Sequence, residues 1–205
     1  MEHFAINIGR QIGSGGREIG KKIAEKLGIS YFDKELITIA AQESGISKEV
    51  FEKVDEVSTF SIVDGIMNLG NINNLSFNET LFKIQSDVIL DLAKKNDCVF
   101  VGRCADYVLR ENPNCVNIFI CDNIESRINR IVNFYKLTTE NKVNDFIQKV
   151  DRKRTAYYNY YTNKEWGVAS SYHLCVNSST LGEEKSVEFI VEYAKQKLNL
   201  PNKRK

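Results

Sequence analysis

Histidine is nearly absent from this chain: His3 and His173 are the only two in 205 residues. A metal site built on histidines, a Ser-His triad and a Cys-His pair are therefore not expected. Net charge is nearly absent too. The 28 Lys and Arg face 27 Asp and Glu, a formal balance of +1. That argues against a general nucleic-acid binder, which needs a large positive field. No apolar run is long enough to cross a bilayer. Nothing at the N-terminus resembles a secretory signal, because Glu2 and His3 precede an extended run. The five cysteines (Cys98, Cys104, Cys115, Cys121 and Cys175) are odd in number and lack metal-type spacing. They read as buried reduced thiols of a cytoplasmic protein. The length suits one compact domain over residues 1–205.

What is present is concentrated early. The apolar run ending at Ile8 leads into a turn rich in glycine, Gly9-Arg10-Gln11-Ile12-Gly13-Ser14-Gly15-Gly16-Arg17-Glu18. An amphipathic stretch follows, with Ile19, Ile23, Ala24 and Leu27 on one face. Strand, glycine loop and helix in that order make a phosphate cradle, since inward N–H groups and the helix N-terminus both favour an anion. A tight turn with no ligand gives the same pattern. The Lys-Ser/Thr pair that normally closes a phosphate loop is missing. Arg17 stands in position to replace the lysine, and the carboxylate of Glu18 is left to hold either a metal or Arg17.

The rest of the chain alternates strands with helices. Strands are expected at Phe4–Ile8, Ile29–Phe32, Cys98–Val101, Cys115–Cys121 and Tyr172–Val176. Helices are expected at Arg17–Leu27, closed by Gly28, at Lys34–Glu43 behind an Asp33 cap, and at a short piece from Ser47. Further helices are expected at Asn78–Lys95, Cys104–Arg110, Asp122–Phe134, Glu140–Tyr161 and Glu183–Leu198. Thr59–Phe77, weakly periodic and rich in Asn and Gly, reads as a mobile segment with room for one helical turn. Pro201 and Lys203-Arg204-Lys205 read as a frayed tail. The alternation predicts an α/β fold with a parallel sheet and helices on both faces. Ligands of such sheets bind beyond the carboxyl ends of the strands. The glycine loop, Asp33, Gly102-Arg103 and Asn177-Ser178 all fall there.

Several segments together resemble the cytidylate kinase-like group of nucleoside monophosphate kinases. Gly13-Ser14-Gly15-Gly16-Arg17-Glu18 looks like a variant phosphate loop. Tyr31-Phe32-Asp33-Lys34-Glu35-Leu36 sits where cytidylate kinases carry Asp-Ser-Gly. Val99-Phe100-Val101-Gly102-Arg103 resembles their Ala-Asp-Gly-Arg segment, with Val101 in place of the acidic residue. Val116-Asn117-Ile118-Phe119-Ile120 and Glu125-Ser126-Arg127-Ile128-Asn129-Arg130 look like the strand and helix entering their lid. Asp151-Arg152-Lys153-Arg154 is similar to the lid itself, and Tyr157-Tyr158, Tyr160-Tyr161 and Cys175-Val176-Asn177-Ser178 match the divergent branch of the group.

The resemblance implies a three-layer P-loop NTPase fold with a five-stranded parallel sheet. It also implies a substrate-side helical segment near 59–95 and a helical lid near 123–165. The implied activity is ATP- and Mg²⁺-dependent phosphoryl transfer to a nucleoside monophosphate, CMP-like, or to a similar small phosphate acceptor. Gly13, Ser14, Gly15, Gly16, Arg17 and Glu18 would hold the donor. Asp33, Arg103, Asp106 and Arg127 would meet the acceptor, and Glu18 and Asp33 the metal. Arg17, Arg103, Arg130, Arg152 and Arg154 would act on the transferring group. The partners expected are small nucleotides, with no nucleic acid and no membrane; self-association is left open. Simpler readings stand beside these. Arg127 and Arg130 share a helix face that a solvated surface explains. Asp151 with Arg154 suits a surface pair, and the tyrosines suit packing. Two rival functions follow: a nucleotide-binding or regulatory protein without turnover, and a nucleic-acid binder using Arg152-Lys153-Arg154.

Overall fold

In the computed structural model, which describes residues 3–33, 72–135 and 140–200 with Leu36, Ile39 and Glu43, five strands form one parallel sheet. They are β1 (Ala5–Arg10), β2 (Ser30–Phe32), β3 (Cys98–Val101), β4 (Cys115–Cys121) and β5 (Leu174–Asn177). The order across the sheet is β2-β3-β1-β4-β5. β1 is central: Ile6 aligns with Val99 on one side and with Val116 on the other. The middle strands are apolar runs because both of their faces are covered.

Side chains alternate along each strand and so feed two cores. Ile6, Ile8, Val99, Val101, Ile118 and Ile120 pack under α1 (Gly16–Leu27) and the last long helix (Glu183–Lys197). Ala5, Cys98, Phe100 and Cys115 pack against Leu81, Val88 and Ile89 of α2 (Ile72–Lys95) and against Ala105 of α3 (Ala105–Val108). α1 lies unusually close to the sheet. A Cβ on Gly20 would come within 3.0 Å of Val101 and 3.1 Å of Ile8. Its Ile19 and Ile23 are fully buried, each worth about 2–3 kcal/mol in area terms.

Two helices form a separate arm: α4 (Ile124–Tyr135) and α5 (Glu140–Thr162). Ile131, Val143 and Ile147 bury one another there, and Ile12 of the glycine loop joins them. The chain closes with α6 (Ser178–Leu181) and α7 (Glu183–Lys197).

The expected strands and helices that fall within the described residues are found, with shifted ends. α2 begins at Ile72 rather than Asn78, so part of the segment read as mobile is helix. Asn73, Asn74 and Ser76 hide that start, since such residues compete with the helix for its backbone hydrogen bonds. The last strand begins at Leu174, because Ala169–Ser171 forms a 3₁₀ turn before it. α6, a single turn, carries no periodic signal in the sequence. The short helix from Ser47, residues 59–71, most of the 34–43 helix and the tail from Pro201 lie outside the described residues. Three cysteines, Cys98, Cys104 and Cys115, are buried as expected; Cys121 is half-buried and Cys175 is exposed.

Candidate active site at the carboxyl ends of the strands

The glycine loop leaves β1 and reaches α1 through two left-handed residues, Gly13 at φ 76° and Gly15 at φ 73°. Its carbonyl groups are turned outward and held. Arg154 of α5 donates to the Arg10 carbonyl at 3.0 Å. Arg127 Nε of α4 donates to the Ile12 carbonyl at 2.8 Å, while Ile12 N–H donates to Asp151 of α5 at 2.9 Å. Arg127 and Asp151 are themselves paired, so loop, α4 and α5 close a ring of hydrogen bonds. Arg130 donates to the Gly13 carbonyl. Ser178 Oγ, at the start of α6, lies 2.7 Å from the Ser14 carbonyl oxygen. Among the described residues, no acceptor meets the N–H groups of Gly13, Gly15, Arg17 or Glu18. Outward carbonyls and uncommitted amides at a helix start are the form of a phosphate cradle.

Asp122, one residue past β4, anchors this side. Its Oδ2 accepts from Arg130 at 3.1 Å and lies 3.0 Å from Ser178 Oγ. Its backbone N–H donates to the Gln11 side chain at 3.2 Å. Burial pushes the carboxyl pKa up, but hydrogen bonds from Ser179, Arg130, Asn123 N–H and Ser178 outweigh it and leave the group below its ordinary value. Asp122 therefore stays ionised and fixes Arg130. The guanidinium of Arg130 lies over Gly15, where a Cβ would sit 3.3 Å from its Cζ.

The other side centres on Asp33. Arg17 Nε contacts it at 2.8 Å, and Arg10 Nη2 lies 3.7 Å away. Burial pushes the Arg10 pKa down; Asp33 opposes that, and the nearby charges of Arg103 and Arg17 add to it. Burial also works against the charge on Arg17, but there Asp33 prevails and the pKa is raised. Arg103 follows β3 in a strained backbone. Gly102, Arg103 and Cys104 have φ of 80°, 59° and 55° in succession, each non-glycine residue costing of the order of 1 kcal/mol or more.

The structure thus divides the expected residues. Gly13, Ser14, Gly15, Gly16 and Arg130 gather at the loop, and Arg17, Asp33 and Arg103 at the ends of β2 and β3. Arg127 is 6% exposed and turned into the loop, so its helix face is not a solvated one. Asp151 pairs with Arg127 rather than Arg154. Arg152 is exposed and donates to Gln148 on its own helix at 3.1 Å. It borders a cavity of about 550 Å³ between α4 and α5 that no loop residue lines. Asp106 is buried and accepts from Tyr158 at 2.6 Å; burial raises its pKa, with the Tyr158 hydrogen bond opposing. Tyr161 stacks on Phe82 at 4.0 Å, and Tyr158 on Tyr172 at 6.2 Å. These rings are engaged in packing.

Glu18 is exposed on the first turn of α1. Among the described residues, no three His, Cys, Asp or Glu side chains converge as a metal site. Mg²⁺ carried by a nucleotide asks for only one or two carboxylates beside the phosphates; Glu18 fits that need, while Asp33 already faces two guanidinium groups. Arg10, Gln11, Asp122 and the bracing role of Asp151 escaped the sequence reading. The available signals were position alone, one residue past a buried strand for Asp122 and the last residue of a strand for Arg10.

The cytidylate kinase-like family matches residues 5–180. No curated protein matches the chain. Among solved structures, an uncharacterized protein from Eubacterium ventriosum superposes with a TM-score of 0.70 at 23% identity, over 94% of this chain and 99% of that one. TT1252 from Thermus thermophilus gives 0.57 at 10% identity, over 98% and 100%. A shikimate kinase from Bacteroides thetaiotaomicron gives 0.50 at 13% identity, over 96% and 99%. At these identities the likeness is one of fold: a parallel five-stranded sheet with flanking helices, as in kinases with a phosphate loop. Among the described residues, no helix is long and apolar enough to cross a membrane.

Proposed function

The chain belongs to the cytidylate kinase-like family, and on that premise we propose that it transfers a phosphoryl group from ATP to a nucleoside monophosphate or similar small phosphate acceptor. Family membership supports a nucleotide-binding, kinase-type function. The observation that carries the finer reading is the glycine loop: side chains from other elements hold the carbonyls of Arg10, Ile12, Gly13 and Ser14, while the amides of Gly13, Gly15, Arg17 and Glu18 remain available. Phosphoryl transfer demands positioning and positive charge rather than covalent chemistry from the protein.

In this reading Gly13–Gly16, with the backbone N–H of Arg17, cradle the donor phosphates. Arg130, held over Gly15 by Asp122, supplies the charge that the absent lysine would give. Arg17 and Arg103 face the acceptor, with Asp33 orienting them. Arg127 and Arg154 are positioning residues that act through the loop backbone, and Arg152 closes over the site from the arm. Mg²⁺, when bound, neutralises charge on the donor oxygens, and Glu18 is the carboxylate placed to help hold it.

A second reading has one observation in its favour. Arg17, the nearest replacement for the lysine, is paired with Asp33, which suits a nucleotide binder without turnover. The deciding experiment detects product from ATP and Mg²⁺ with a panel of nucleoside monophosphates. Transfer to one acceptor, reduced about 10²-fold or more by Arg103→Ala and by Arg17→Ala, supports the kinase. ATP binding by calorimetry without transfer to any acceptor supports the binder.

A further inference from the structure

Among the described residues beside the site, Arg10 is a charged side chain without a hydrogen bond of its own, and nothing local in the sequence singles it out. Arg10 carries five N–H donors, and its side chain is only 20% exposed. Among the described residues those donors make no hydrogen bond. Their one ionic contact is Asp33 at 3.7 Å, and Asp33 is already held by Arg17 at 2.8 Å. A mostly buried guanidinium in this condition is costly unless something else completes it.

Its place is nonetheless tightly defined. Arg154 fixes its carbonyl. A Cβ on Gly16 would come 2.6 Å from Arg10 Cβ, and one on Gly102 would overlap its Nη1. Two backbone segments, the loop and the turn after β3, have thus given up side chains where this arginine passes. Arg17 shares Asp33 with it, and Arg103 directly follows Gly102, the residue against which its Nη1 rests; both charges disfavour its own. Like charges held together around a planar donor fork make a setting for a multivalent oxyanion bound bidentately.

We propose that Arg10 is the fixed ligand of an oxyanion site completed by Arg17 and Arg103, and that this site takes the phosphate-monoester group of the acceptor. The site lies at the ends of β1 and β3 and is separate from the donor cradle of Gly13–Gly16. Naming the ligand as the acceptor rests on the phosphoryl-transfer reading; the oxyanion site itself does not.

The test titrates inorganic phosphate into protein already saturated with ATP, so that the loop is filled, and titrates ATP separately. Arg10→Gln is expected to weaken phosphate at least tenfold and to leave ATP affinity within twofold. Arg10→Lys, which keeps the charge and loses the fork, is expected to weaken phosphate less than Arg10→Gln does. Denaturant midpoints of Arg10→Gln and Arg10→Lys, measured beside the titrations, distinguish a lost ligand from a folding defect: native-like midpoints with weakened phosphate support the proposal. Unchanged phosphate affinity in Arg10→Gln overturns the proposal. So does a parallel loss of ATP affinity, which would assign Arg10 to the donor. If ATP does not bind at all, the kinase reading fails; phosphate titrated into the free protein then decides the oxyanion site by the same tenfold criterion.

Discussion

The glycine loop and the arginines around Asp33 sit within one site, yet they are built in opposite ways. At the loop, charged side chains are spent on the protein's own backbone: Arg127, Arg130, Arg154 and Asp151 all bond to it. Around Asp33, Arg10 and Arg17 compete for one carboxylate, and Arg10 is left without a hydrogen bond among the described residues. The first region is braced before any ligand arrives, with the amides of Gly13, Gly15, Arg17 and Glu18 left open. In the second, among the described residues, two guanidinium groups share the carboxylate of Asp33. Fixed amides and clustered charge are two different means of holding an anion, which suits a site where one partner is cradled and another is caught by charge.

That contrast breaks most readily through stability. Asp151→Ala would leave Arg127 buried without its carboxylate and is expected to cost about 3–5 kcal/mol, read as a lower denaturant midpoint. Arg10→Gln is expected to change stability by less than about 1 kcal/mol, or to raise it, because it relieves an unfavourable charge. Equal losses in the two variants would erase the distinction. Gly13→Ala probes the loop more gently. Its φ of 76° and the Arg127 carbonyl oxygen 2.9 Å from the new Cβ predict a loss of roughly 1–3 kcal/mol, with ATP binding weakened in calorimetry.

How far these regions could be seen in the sequence differs in the same way. Apolar runs such as Cys98–Val101 and the stripe Ile19, Ile23, Ala24 declared the sheet and α1, because period and burial are local properties. The glycine loop was visible for the same reason. The braces were not, since Asp151 lies 139 residues from Ile12 and no local pattern links them. Arg17 illustrates the limit: its helix-start position suggested donor phosphates, whereas its bond to Asp33 depends on where β2 ends. Arg10 was hidden by sitting inside the motif, between residues whose type is informative.

Smaller effects sharpen the picture. Ser178→Ala removes the hydroxyl between Ser14 and Asp122 and is expected to cost about 1 kcal/mol, seen in thermal unfolding. Two carboxyls should respond to pH with opposite signs. Asp122 is held below its ordinary value, so its contribution is present above the unfolded carboxyl range and lost as pH falls through the depressed value. Burial raises Asp106, so its contribution is present below the unfolded range and declines as pH rises through the raised value. Asp122→Asn should therefore flatten the acid limb of a stability–pH curve. Asp106→Asn should flatten a decline beginning above about pH 4. A curve unchanged in both variants would show that neither group titrates differently on folding.

The overlap between Gly102 and Arg10 has a consequence for how this protein can change over generations. A side chain at 102 would fall on the Arg10 guanidinium and oblige that end of the arginine to move, and the positive φ at 102 narrows the choice further. The two sites, 92 positions apart in the chain, are therefore coupled in what each tolerates. In a library randomised at both, glycine at 102 should be more enriched among members that keep arginine at 10 than among members that do not.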